Sequence, residues 1–183
     1  MKNQPKKIKF RSYFFICALS LFMLLGCMSQ GFSQTISGTY AIKNVQTGML
    51  LRPEEANKRD GTPIVLYTPV NWKCVTWNFK SVNNTNTYQL QNLFTHKTLQ
   101  PVHSMPTEKT ALYQQPLSAG ELSQQQWEFI PVTTNVYLIR LKGTALYLIP
   151  ADKDGVKNAV VELAKKKEGS AQKWTIYEQN PTM

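Results

Sequence analysis

The chain has 183 residues, 42% of them hydrophobic and 17% charged, and a formal net charge of +10. That is a one-domain length with an ordinary globular composition, long enough to bury a core without a metal or disulfide staple. Five of the 21 basic residues (Lys2, Lys6, Lys7, Lys9 and Arg11) fall in the first eleven positions, and the remaining 16 face 11 acidic side chains, a balance of +5 that excludes the clustered footprint of a nucleic-acid binder.

Residues 1–33 read as an export signal. The basic stretch to Arg11 is followed by an uncharged apolar run, Tyr13 to Leu25. Thirteen residues are too few to cross a bilayer, which takes about 20. A basic head, a short apolar body and small residues beyond it form the secretory pattern. Two exits are open. Leu24-Leu25-Gly26-Cys27 resembles a bacterial lipobox, in which Cys27 becomes the lipidated first residue, and Gly31-Phe32-Ser33 resembles an ordinary signal-peptidase site. The lipobox is preferred because it sits directly at the end of the apolar run. The expected location is extracytoplasmic: a lipoprotein anchored through Cys27, otherwise a protein secreted after cleavage near Ser33.

A threefold repeat fills the remainder. Tyr40, Tyr88 and Tyr137 are 48 and 49 residues apart, and Pro53, Pro101 and Pro150 each follow their tyrosine by 13. Trp77, Trp127 and Trp174 close the units 37, 39 and 37 residues after it. In chain order each unit predicts four short strands. The first opens at the tyrosine (Tyr40-Ala41-Ile42-Lys43, Tyr88-Gln89-Leu90-Gln91, Tyr137-Leu138-Ile139-Arg140). The second runs up to the proline (Met49 to Arg52, Lys97 to Gln100, Ala145 to Ile149). The third is Ile64 to Tyr67, Ala111 to Tyr113 and Val160 to Leu163, and the fourth starts at the tryptophan. No long stretch carries helical periodicity.

Four strands in each of three units make about twelve, the plan of an all-β β-trefoil over residues 37–178, with repeats at about 38–82, 87–132 and 136–178. One unit alone cannot bury its apolar face and exposes its edges; three close a six-strand barrel capped by hairpins. The tryptophans then share one core. Cys17 and Cys27 lie in the export segment, so Cys74 has no partner for a bridge within the domain and reads as a small buried apolar residue. Lys165-Lys166-Lys167 reads as a solvated loop.

Gln125-Gln126-Trp127 and Gln172-Lys173-Trp174 match the Gln-x-Trp signature of the ricin B-type lectins, and Gly38 to Ile42 and Asp60 to Tyr67 resemble the opening and middle of bacterial versions of that repeat. The resemblance spans roughly Gly38 to Tyr177. It implies a non-catalytic carbohydrate-binding protein with a shallow site. In such a site an aromatic ring ending the third strand stacks on a sugar. An aspartate ending the second strand, with amides before the tryptophan, holds the hydroxyls.

Carried over unit by unit, the aspartate position falls on Arg52, Gln100 and Ile149, so no unit keeps the carboxylate. The first unit has Tyr67 as its ring, but Cys74 and Val75 at the amide positions, with Trp72 nearby. The third has about Ala164 as its ring position and Gln172 as its amide. Only the second combines a ring, Tyr113, with polar groups at all three positions: Gln100, Gln124 and Gln125. The expected sugar-binding set is therefore Tyr113, Gln100, Gln124 and Gln125, with Tyr67 next. Without charge assistance each bond is about half as strong, which sets a millimolar expectation, about −4 kcal/mol.

Nothing points to an enzyme, a cofactor or a metal. His96 and His103 have no ligand spacing, and Glu54-Glu55 and Asp152-Lys153-Asp154 read as solvated turns. The expected partner is a glycan or polysaccharide, with no nucleic acid and no membrane contact beyond a lipid anchor. The alternative is a degenerate trefoil that binds a protein, with Gln114 to Gln126 as its epitope. For export, intact mass should show either a lipid-modified Cys27 or an N-terminus near Gln34. Membrane association that survives Cys27→Ser would contradict the lipoprotein reading.

Overall fold

The computed structural model describes residues 35–83, 85–120 and 122–182; the expected export signal, Cys27 included, lies outside them. Twelve strands follow in chain order: β1 Gly38–Asn44, β2 Leu50–Pro53, β3 Ile64–Tyr67, β4 Thr76–Ser81, β5 Thr87–Asn92, β6 Lys97–Pro101, β7 Leu112–Pro116, β8 Trp127–Thr133, β9 Val136–Leu141, β10 Leu146–Pro150, β11 Val161–Lys165 and β12 Lys173–Glu178. Single 3-10 turns at Glu54–Ala56, Lys73–Val75 and Ser123–Gln125 are the remaining elements among the described residues.

The pairings show closure. β1, β4, β5, β8, β9 and β12 form an antiparallel ring in which each strand pairs with two others and β12 returns to β1. A closed ring has no edge to protect. The hairpins β2–β3, β6–β7 and β10–β11 leave the ring and meet one another through the bridges Pro63 to Tyr113, Val65 to Val160 and Ala111 to Glu162. This is the β-trefoil expected from the repeat.

Register makes the threefold relation explicit. Tyr40 pairs with Trp77, Tyr88 with Trp127 and Tyr137 with Trp174. All three tryptophans are fully buried, and each indole Nε1 donates to a leucine carbonyl in its own unit's second strand. Trp77 reaches Leu51 O at 2.9 Å, Trp127 reaches Leu99 O at 3.2 Å and Trp174 reaches Leu148 O at 3.1 Å. Two residues beyond each tryptophan, Phe79, Phe129 and Ile176 enter the same core. Edge-on contacts link Phe79, Tyr88 and Phe129 at centroid separations of 5.0–5.5 Å. Barrel strands alternate buried and less buried positions, as in β5, whereas β2 is buried throughout. The hairpin strand faces the core on one side and a smaller cluster of Ala41, Leu50, Cys74 and Val75 on the other.

One device escaped the sequence reading. Asn44 and Asn92 sit opposite Trp174 and Trp77 and are fully buried. Each Oδ1 accepts two backbone N–H groups of the following turn, and each Nδ2 donates to a carbonyl ahead of a tryptophan, Ala171 O and Cys74 O. The side chain thus forms the turn and ties it to neighbouring chain. The third equivalent, Leu141, has no such group. Asn-x-x-Thr four residues after Tyr40 and Tyr88 was the available signal.

Trp127→Ala should destabilise the domain by about 3–5 kcal/mol in chemical denaturation, because a fully buried ring is removed and Leu99 O is left without its donor. A change within about 0.5 kcal/mol would contradict a core position.

Candidate binding sites

In each hairpin the end of the second strand lies beside the start of the third; by register Tyr113 corresponds to Val65 and Glu162, whereas Tyr67 and Ala164 correspond to Gln115, so the expected ring positions of the first two units are not threefold equivalents. In the second unit, Gln100 and Tyr113 are direct cross-strand partners in the β6–β7 hairpin. The Gln125 Nε2 donates to Gln100 Oε1 at 2.8 Å, and Gln100 Nε2 lies 3.4 Å from the Tyr113 hydroxyl. Three of the four expected residues therefore form one chain of contacts. Tyr113 is half-buried, and among the described residues no ring or cation stacks on it.

Two of the expected residues have their amides engaged within the fold, and Gln125 is the more enclosed. It is 2% exposed, its Nε2 also donates to Pro116 O at 3.0 Å, and its Oε1 accepts from Ser118 N at 2.9 Å. Gln172 repeats the arrangement in the third unit, accepting from Lys167 N and donating to Lys165 O. The glutamine of Gln-x-Trp is a latch on the loop leaving the third strand, and in the first unit Val75 takes its place as a buried apolar residue. Gln124 does not join Tyr113 by hydrogen bond either; its Nε2 reaches Ser104 O at 2.6 Å, across to the loop following β6.

The threefold equivalents of that crossing stay open. In the first unit a depression of about 270 Å³ is lined by Ala56, Trp72, Lys73, Cys74 and Phe94. In the third, one of about 330 Å³ includes Lys153, Gly169, Ser170, Ala171 and Gln46. Position by position, these residues occupy the same places relative to the prolines, tryptophans and tyrosines. The first is walled by rings and the third by polar loop groups.

Tyr67, the next expected ring, is occupied by cations of this chain. The Arg52 guanidinium stacks on it with Cζ 3.5 Å from the ring centroid, and Lys157 Nζ stands 4.9 Å from the same centroid. Trp72, 40% exposed, lies beside it at 6.2 Å. Arg52 is 5% exposed, its Nη2 donates to Asn158 Oδ1 at 3.2 Å, and its Nε has no partner. Cys74 lies against it. Burial pushes the Cys74 thiol pKa up, and the neighbouring guanidinium opposes that rise. No signal in residues 40–80 could have revealed this arrangement, because Lys157 and Asn158 come from the loop between β10 and β11. In the third unit Ile149 and Ala164 are buried and apolar, and the cross-strand partner of Ile149 is the partly exposed Glu162, so no ring stands at either position.

Among the described residues no group of three or more His, Cys, Asp or Glu side chains is assembled that could hold a metal ion. Comparison with curated proteins gives no match. Among solved structures, the designed threefold-symmetric protein ThreeFoil superposes with a TM-score of 0.71 at 19% identity, covering 77% of this chain and 99% of its own. The Rhizoctonia solani agglutinin follows at 0.69 and 18%, with 79% and 96% covered. The Macrolepiota procera ricin B-like lectin, solved in complex with lactose, gives 0.66 and 22%, with 81% and 100% covered. At these identities the likeness is one of fold. A family model described as ricin-type beta-trefoil lectin domain-like matches residues 29–115 and 73–148, well over half of the sequence. Repeat, register and family match agree: the chain belongs to the ricin-type β-trefoil lectin-like family.

Proposed function

We propose that this protein is a non-catalytic, lectin-like glycan binder whose neutral-sugar site is the second unit. The observation that carries the reading is the Gln125–Gln100–Tyr113 chain beside an unstacked ring. Gln125 fixes the Gln100 carbonyl oxygen, which turns the Gln100 amide nitrogen toward the Tyr113 hydroxyl. At 3.4 Å that last contact is long, so a sugar hydroxyl can replace it at little cost. The ring offers an apolar face to the C–H side of a pyranose with few degrees of freedom to lose. Family membership supports the same class of ligand, and lactose is bound by the Macrolepiota relative. With neutral amides in place of an aspartate the affinity is weak, about −4 kcal/mol.

We place the protein outside the cytoplasm, anchored by lipid at Cys27, on the pattern of residues 1–33. A second reading has one observation in its favour. Met105 is 86% exposed, Leu122 51% and Val102 37%, on two loops that the Gln124–Ser104 bond joins. Such apolar exposure suits a protein partner.

Tyr113→Ala should remove most binding to a β-galactoside and leave the denaturation midpoint nearly unchanged. Gln100→Asp should strengthen binding several-fold, since a carboxylate can accept from Gln125 and from a sugar hydroxyl together. Undiminished affinity in Tyr113→Ala would move the site away from the second unit. If no glycan binds the parent, the exposed Met105–Leu122 surface becomes the leading site.

A further inference from the structure

The aspartate position of the first unit carries the opposite charge. Arg52, the residue before the last of β2, is 5% exposed and keeps an unpartnered Nε. Lys157 Nζ stands 4.9 Å from the centroid of Tyr67, the ring on which Arg52 stacks. Neither cation has a carboxylate counter-ion among the described residues: the ion pairs there are Lys97 with Asp60, Arg140 with Glu128 and Lys165 with Glu108. Glu54 and Glu55, next in the chain after Pro53, make none with Arg52. Asp152 spends an oxygen on the backbone N–H groups of Asp154 and Val156 in its own loop.

A buried guanidinium without a counter-ion is costly, and two cations on one ring repel each other. The ring's electron-rich face offsets only part of that. Yet the surroundings hold the pair in place. Asn158 adopts a left-handed φ of 66°, its N–H donates to Leu66 O, and its side chain accepts from Arg52. The Val65–Val160 bridge fastens the same loop to the first hairpin. The seam is thus built from two units, and it borders the ring-walled depression through Cys74 and Trp72.

A guanidinium only donates hydrogen bonds, so a ligand here must accept them. We propose that this seam is a second, acid-selective subsite: Arg52 and Lys157 take the carboxylate or sulfate of an acidic saccharide, and Trp72 gives its sugar ring an apolar wall. An anion beside these cations supplies the counter-charge that no carboxylate of the described residues provides. The saccharide part of this inference rests on the glycan-binding reading; the charge requirement rests on Arg52 and Lys157 alone.

The test titrates the folded mature chain with trigalacturonate, a sulfated galactose disaccharide and an uncharged galactose trisaccharide. The acidic ligands should bind in preference to the neutral one at this site and weaken as salt is raised. Lys157→Glu, at an exposed position, should weaken acidic binding at least about tenfold and leave neutral-sugar binding intact. Tyr113→Ala should do the reverse. Arg52→Gln should also lose the acidic ligands, and Lys157→Glu keeps the test open if that variant fails to fold. The stronger of the two acidic ligands identifies the anion. Acidic saccharides that bind no better than the neutral one, or that bind Lys157→Glu undiminished, overturn the subsite. Loss of neutral binding alone in the parent would count against the second-unit site and not against this one.

Discussion

Three indole N–H groups hold the domain together. Each hairpin's outgoing strand pairs with its barrel strand at one register position only: Leu50 with Lys43, Thr98 with Gln91 and Tyr147 with Arg140. The next residue, Leu51, Leu99 or Leu148, lies beyond that single paired position. A buried carbonyl without a donor costs about 1–3 kcal/mol. The tryptophan of the same unit supplies the donor and fills the space between barrel and hairpin with its ring. One side chain therefore satisfies that leucine carbonyl and packs the junction. Repeated three times, this contact fixes where the hairpins stand, and with them every surface position at which a ligand could be met.

On that frame the surface has diverged freely. The barrel demands the tyrosine, the leucine and the tryptophan at matched register, but it makes no demand at the residue before the proline that ends each hairpin's outgoing strand. Arg52, Gln100 and Ile149 are accordingly a cation, a neutral amide and a hydrocarbon at one geometric position. The loop latch varies less, because Gln125 and Gln172 each satisfy backbone groups that would otherwise be left bare. The two rings also differ in what covers them: Tyr67 is capped by Arg52 and Lys157, whereas Tyr113 meets the edge of Gln100. One scaffold thereby presents an uncharged surface and a cationic one.

The periodic part of this architecture was legible from the sequence. Tyrosine, proline and tryptophan at fixed offsets are each tied to a barrel or hairpin position, so their spacing carried the strands and the closure. The direction of the amides was not legible. Gln124 and Gln125 are adjacent and chemically identical, and only the 3-10 turn at Ser123–Gln125 decides that one points inward and the other toward Ser104. Arg52 was legible as a departure from the family pattern but not as a stacked cation, because its partner Asn158 lies 106 residues away. The missing link in each case is tertiary. Asn44 and Asn92 differ: their Asn-x-x-Thr spacing is local in sequence and carries a turn mechanism of its own.

Hydrogen exchange of the four indole N–H protons tests the central claim most directly. Trp77, Trp127 and Trp174 are fully buried and bonded, while Trp72 is 40% exposed. If the three ties close the barrel as one cooperative unit, their indole protons should exchange only through global unfolding, with one shared free energy, and the Trp72 proton should exchange fast. A core indole exchanging as fast as Trp72, while the other two stay protected, would show that its unit opens alone and would contradict the account.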